Sequence, residues 1–227
     1  MNSDRRARWP GVLLGILCTA VACSDIAGPA LPGGGVTRPP PIAPDGVIYR
    51  GATSQPAAAV WTLANGVVYS GYSTDPAHAL YTIRDGVVYH GLSTARDDAL
   101  VVTRVGVLYE GFTTHPSAAI LNYTDGVLYS GPSVRPDAAL FTFFNNVVYD
   151  GFSLDPFDAV YTYASGVVYR GFSTLRADAL YTIRGRTIYQ GASTDPATAL
   201  YTFTGIAGIN DWVCCCSSKT APYSAPT

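Results

Sequence analysis

Between Ala79 and Gly91 the chain runs Ala-Leu-Tyr-Thr-Ile-Arg, then Asp-Gly, then Val-Val-Tyr-His-Gly. Two short runs rich in β-branched and aromatic residues flank a dipeptide that favours positive φ at both central positions, which predicts a β-hairpin with a two-residue turn. The same pattern returns every 20 residues, with units beginning at 46, 66, 86, 106, 126, 146, 166 and 186 and no insertion between them. Asn65-Gly66 and Asp125-Gly126 repeat the turn signal, Asn145-Asn146 keeps it in altered form, and Gly185-Arg186 is its weakest version. At the other end of the unit, Asp-Pro at 75–76, 155–156 and 195–196 follows a Ser-rich stretch. Proline cannot donate to a ladder and Ser or Asp bonds nearby amides, so this end is a loop. No 3.6-residue period survives, and the repeat region is all-β.

Numbering each unit from its first residue, position 4 is tyrosine in every copy, position 6 glycine and position 14 alanine; position 8 is always Ser or Thr. So strict a period means one supersecondary unit stacked on copies of itself. The expected architecture is a tandem β-hairpin array, an elongated single sheet or a β-solenoid, with a small closed propeller of four blades as the alternative. A sixteen-strand membrane barrel is excluded at this level, because about six residues per strand fall short of the 9–11 that crossing requires.

Strand alternation separates two faces. One carries Leu80, Gly71, Tyr69, Thr82 and Val67, and is expected to be the packing face, with the ring of each tyrosine lying over a glycine. Tyr69, Gly71, Tyr89, Gly91, Tyr169 and Gly171 are its structural markers. The other face carries position 16, occupied by Trp61, Tyr81, Val101, Leu121, Phe141, Tyr161, Tyr181 and Tyr201, beside the freely varying polar position 5. Two readings of the aromatics Trp61, Tyr81, Phe141, Tyr161, Tyr181 and Tyr201 stand. They form a ladder for a polysaccharide or other extended ligand, or they pack against a second sheet or the next turn of the array. Val101 and Leu121 interrupt the ladder and favour packing.

Outside the repeats the chain changes character. Residues 1–22 hold Arg5, Arg6 and Arg8 before a short apolar stretch, the pattern of an export signal. Ala20-Val21-Ala22-Cys23 resembles the lipobox of bacterial lipoproteins, which implies cleavage before Cys23 and a lipid on it. Ser24 then implies sorting to the outer membrane where a host has one. Residues 23–45, with GPALPGGG and RPPPIAPD, are dense in proline and glycine and read as a tether. The eight repeats fill 46–205. Residues 206–227, with Trp212 and Cys214-Cys215-Cys216, read as a cap over the last hairpin and a disordered end.

Chemistry is sparse. Adjacent cysteines lack the spacing of a zinc site. His78, His90 and His115 occupy different unit positions, so the repeat does not gather them. A hydroxyl present eight times in a loop is explained by amide capping rather than nucleophilic attack, and Asp75, Asp155 and Asp195 by turn formation. No cofactor, metal or catalytic residue is assigned, and a hydrolase is the disfavoured alternative. Without the leader, 11 basic face 15 acidic residues with no charge block, which excludes a basic stripe for nucleic acid.

The phrase Asp/Asn-Gly-Val-Val-Tyr-x-Gly resembles the core of MORN repeats at the Tyr and Gly of each unit across 46–205. That resemblance implies an array of hairpins with scaffolding or surface-binding roles. The later aromatic and Gly-x-Gly element of those repeats is replaced here by Ala-Leu-Tyr-Thr. Choline-binding wall repeats share the length but need tryptophans this chain lacks. The expected function is a non-catalytic, lipid-anchored envelope protein, held at the membrane by its N-terminal lipid, that offers an interaction or structural surface to a protein or polysaccharide partner. The alternative is an exported carbohydrate-binding module.

Overall fold

The computed structural model describes residues 44–205. Cys23, most of the tether, Trp212 and Cys214–Cys216 lie outside the described residues. Sixteen strands run in chain order: β1 (Gly46–Arg50), β2 (Ala59–Ala64), β3 (Val67–Ser70), β4 (Ala79–Arg84), β5 (Val87–His90), β6 (Ala99–Arg104), β7 (Val107–Glu110) and β8 (Ala119–Thr124). They continue as β9 (Val127–Ser130), β10 (Ala139–Phe144), β11 (Val147–Asp150), β12 (Ala159–Ala164), β13 (Val167–Arg170), β14 (Ala179–Arg184), β15 (Thr187–Gln190) and β16 (Ala199–Thr204). Each pairs antiparallel with its chain neighbours, and β1 pairs with β16, so the sheet closes into one barrel.

Closure corrects the expected open array and also the four-bladed alternative, since the sheet is continuous and not divided into blades. Sixteen is, after all, the number of strands in a closed barrel here. Strand length bears on crossing a bilayer, not on closure. A strict repeat makes the last edge match the first chemically, and the twist and curvature accumulated between them bring the two together. An open array would leave two rows of unpaired amides and carbonyls at its ends.

The matching is literal. Asn65-Gly66 and its six later counterparts make seven tight turns. The eighth hairpin has no turn, because the two ends of the described chain form it. Tyr49 pairs with Thr202 and Arg50 with Tyr201, the register in which Tyr69 pairs with Thr62 and Ser70 with Trp61.

The turns follow the sequence. Asn65, Asp85, Asp125 and Ser165 have φ of 50–52° and the glycines after them 74–81°, the left-handed pair a type I′ turn requires. Asn145 and Asn146 both take positive φ, while at the weakest turn only Gly185 does. Glycine is also demanded by a neighbour. Ile83 donates its amide to the Gly66 carbonyl at 2.7 Å, and a Cβ on Gly66 would stand 2.8 Å from the Ile83 carbonyl oxygen. Each turn is thus clipped to the next hairpin, through the same bond from Thr103 to Gly86, Tyr123 to Gly106 and Phe143 to Gly126.

The buried face carries positions 2, 4 and 17, as alternation predicts. Tyr49, Tyr69, Tyr89, Tyr129 and Tyr149 are 4–7 % exposed, and Tyr169 is half-buried. Burying one such ring stabilises the fold by roughly 1.5–3 kcal/mol.

What the ring lies against differs from expectation. Every tyrosine has the invariant alanine as register partner, Tyr69 with Ala79, Tyr89 with Ala99, Tyr169 with Ala179. A bulge beside each tyrosine inserts one extra residue, so Ala79 comes opposite the ring and packs on the cluster of Ala64, Val67 and Tyr69. The displaced residue is Leu80, which is only half-buried and not the core aliphatic that simple alternation makes it. Nothing lies within 4 Å of a Cβ built on Gly71 or Gly91, and Gly171 would meet only the Ala159 carbonyl at 3.7 Å. Position 6 is glycine for its φ of 60–76° in these and the first copy, not to seat a ring.

Candidate functional site

The loops between strands are built alike. In all eight the hydroxyl at position 8 accepts the amide at position 10, from Thr53 with Gln55 and Ser73 with Asp75 through to Ser193 with Asp195. This is the capping role expected of those hydroxyls. Asp75, Asp155 and Asp195 then accept the amides of Ala77, Phe157 and Ala197, capping a single 3-10 turn in each case. Position 13 closes the loop: His78 Nδ1 meets Ser73 Oγ at 2.8 Å, and Ser153 donates to Asp158 at 2.6 Å. His115 instead meets Ser117, and His90 stands exposed on β5. Each histidine serves, or faces solvent on, a different unit.

Position 17 supplies a second repeated polar contact. Thr62, Thr82, Thr142, Thr162, Thr182 and Thr202 donate their hydroxyls to the carbonyls of Gly71, Gly91, Gly151, Gly171, Gly191 and Gly51 at 2.7–2.8 Å. The threonine bond ties the strand end of one unit to the loop entrance of the next. Val102 cannot make it, and Asn122 reaches the Pro132 carbonyl at 3.4 Å instead.

The opposite face holds the surface with binding character. Trp61, Tyr81, Tyr161, Tyr181 and Tyr201 are 38–48 % exposed, and Phe141 is half-buried. The rings do not pack under a second sheet, which is what the interruption by Val101 and Leu121 suggests from sequence. Each lies between an aliphatic neighbour and a polar one: Tyr81 between Val68 and His90, Tyr161 between Val148 and Arg170, Tyr201 between Ile188 and Arg50.

Closure changes their order. Read along the chain, the aromatics form a pair and a run of four with a gap between. Around the barrel, β16 pairs with β1 and β1 with β2, so Tyr201 and Trp61 sit in adjacent hairpins. Phe141, Tyr161, Tyr181, Tyr201, Trp61 and Tyr81 therefore make one arc over six of the eight positions. Only Val101 and the buried Leu121 interrupt the circle.

A family model described as the 6-fold beta flower protein matches residues 48–154 and again 109–209. The chain belongs to the 6-fold beta flower family. Each match spans a little over five 20-residue units, and the two overlap on a chain holding eight. Together the two matches cover nearly all of the repeat region, and nothing found shows a relation to MORN repeats. No curated protein and no solved structure gives a significant match.

Two features of the surface are not legible in the repeat pattern. In one unit position 7, inside the loop, comes back towards a core tyrosine: Phe112, itself exposed, lies 6.5 Å from the Tyr89 ring, centroid to centroid. Its aromatic content in four of eight copies was the available signal. The second is a recess on the buried face lined by Arg96, Arg104 and Phe112; Arg96 and Arg176, in place of proline, were the only hint of it.

Proposed function

We propose that this beta flower protein is a non-catalytic binding module whose exposed aromatic arc is the contact surface. The single observation that carries the reading is the division of labour between two sets of rings. Position-4 tyrosines are spent on the core, while five of the six position-16 rings keep 38–48 % of their surface exposed on the closed sheet. Exposed aromatics on a preformed surface bind at little conformational cost.

Two partner classes suit such an arc. A protein partner matches the aromatic enrichment of interface centres. A glycan is the second reading, favoured by flat rings flanked by the hydrogen-bonding side chains of Ser70, His90, Asp150, Arg170, Gln190 and Arg50. Sedimentation with insoluble polysaccharides, comparing the parent with a variant carrying Tyr161→Ala, Tyr181→Ala and Tyr201→Ala, tests the arc. Retention of the parent and loss of the variant supports a glycan. Failure of both to sediment, with the variant competing as well as the parent for envelope proteins cross-linked to the parent, removes the arc as a binding surface altogether.

The same proposal places the barrel at a membrane surface through a lipid on Cys23, at the end of a tether that, where extended, reaches ~3 Å per residue. The basic and apolar leader ending in Ala22-Cys23 supports this part. Mass spectrometry of the N-terminus tests it: a diacylglyceryl-modified Cys23 supports it, and an unmodified terminus beyond Cys23 overturns it.

A further inference from the structure

Arg96 and Arg104 come from one unit, yet the fold brings both to a single recess of about 340 Å³ with Phe112, Thr113 and Thr114 of the next unit, over Val102. Each guanidinium is held in place. That of Arg96 sits 5.6 Å from the centre of the Phe112 ring, and that of Arg104 donates through Nη1 to the Asp85 carbonyl at 2.9 Å. Phe112 in turn rests on the buried Tyr89.

The charges are held but not neutralised. Among the described residues the carboxylate ion pairs are Arg84 with Asp85 and Arg135 with Asp137. Of the nearby acids, Asp98 accepts the Ser93 hydroxyl and Asp85 faces Arg84; the exposed Asp97 does not line the recess. The Thr113 hydroxyl accepts the His115 amide, which leaves its own proton free to donate. The floor is apolar because Val102 replaces the threonine found at six other copies, so no hydroxyl there competes for the arginines.

We propose that this recess is a binding site for an oxyanion carried on a small organic body, a carboxylate or a phosphate ester of about sugar size. Two planar guanidinium groups, already positioned, suit a group that accepts several hydrogen bonds at once, and the Phe112 ring gives the body an apolar surface. The related pair Arg176 and Arg184 stands four units away, but position 7 there is Ala192 and offers no ring. The site is therefore assigned to one sector of the barrel.

The test is thermal melting of the full chain at fixed ionic strength with glucuronate, glucose 6-phosphate, inorganic phosphate or glucose. The expected result is a saturable rise in Tm with glucuronate or glucose 6-phosphate and none with glucose; which of the two acts separates carboxylate from phosphate ester. Arg96→Gln and Arg104→Gln should each weaken the apparent affinity tenfold or more, and Arg184→Gln should leave it unchanged. Because both arginines are exposed, the variants should fold. If one melts too early for comparison, Arg96→Lys, which keeps the charge but loses the flat stacked group, should still weaken binding severalfold. No anion-specific rise, an equal rise with glucose, a response to inorganic phosphate alone that never saturates, or equal loss in Arg184→Gln would each overturn the proposal.

Discussion

Thr202 donates its hydroxyl to the carbonyl of Gly51 at 2.7 Å, across 151 residues of chain. The bond is the same one that Thr62 makes to Gly71 nine residues on. The seam of the barrel is therefore chemically a repeat junction like the others, distinguished only by having no peptide between its strands.

Thr142→Val and Thr202→Val should each cost about 1 kcal/mol, the usual net worth of one hydrogen bond. Urea denaturation checks this. A far larger loss for Thr202→Val would mean the seam depends on that contact in a way the other junctions do not. The reverse change, Val102→Thr, should gain up to about 1 kcal/mol by restoring the contact to Gly111.

Ala79 faces the Tyr69 ring across the bulge. Ala79→Leu would press a larger side chain on Ala64, Val67 and the ring, against which the partly buried Ala79 already packs. Overpacking of this kind costs roughly 1–3 kcal/mol, and near-ultraviolet circular dichroism should report disturbed tyrosine packing as well as a lower midpoint. Gly91→Ala should also destabilise, yet for a different reason, since its φ of 60° and not its surroundings forbids a side chain.

Val105 holds φ of 48° while fully open to solvent. A β-branched residue in the left-handed region is strained by about 1–2 kcal/mol, and no contact offsets it at this exposed turn. Val105→Asn or Val105→Asp, the residues that other units place there, should raise Tm by a few degrees. An unchanged or lower Tm would refute the strain.

The two ends of the described chain meet where a tight turn would otherwise stand. A Cβ on Gly205 would come within 3.0 Å of the Gly46 Cα, and Asp45 accepts the Asn65 amide through its carboxylate at 2.6 Å. A circular permutant that joins Gly205 directly to Gly46, omitting Asp45, and begins at Gly66 should fold to the same barrel. Its far-ultraviolet spectrum should match the parent, with a midpoint within about 1 kcal/mol, because exposed turns tolerate such breaks. Failure to fold would indicate that closure requires free ends.

The twenty-residue period, the turns at Asn65-Gly66 and Asp85-Gly86, the hydroxyl caps from Thr53 to Ser193 and the burial of Tyr69 and Tyr89 were all legible in the sequence. Each depends on local chemistry: a φ preference, an amide within two residues, a strand's alternation. Contacts between residues of different strands and units were not legible. The bulge beside Tyr69 exchanged Leu80 for Ala79 as the ring's neighbour, and an alternation argument assumes no extra residue. Arg96 and Arg104 share a recess only because the loop carrying Arg96 brings its guanidinium over the Phe112 ring of the next unit.

By itself, then, the chain determined its unit, since backbone preferences and side-chain alternation act over a few residues and recur wherever the same residues recur. Only the tertiary structure decided that eight units make a circle and that Tyr201 thereby neighbours Trp61. The reason is geometric: small rotations between successive hairpins add up around the sheet, and no single unit records whether their sum returns the last edge to the first.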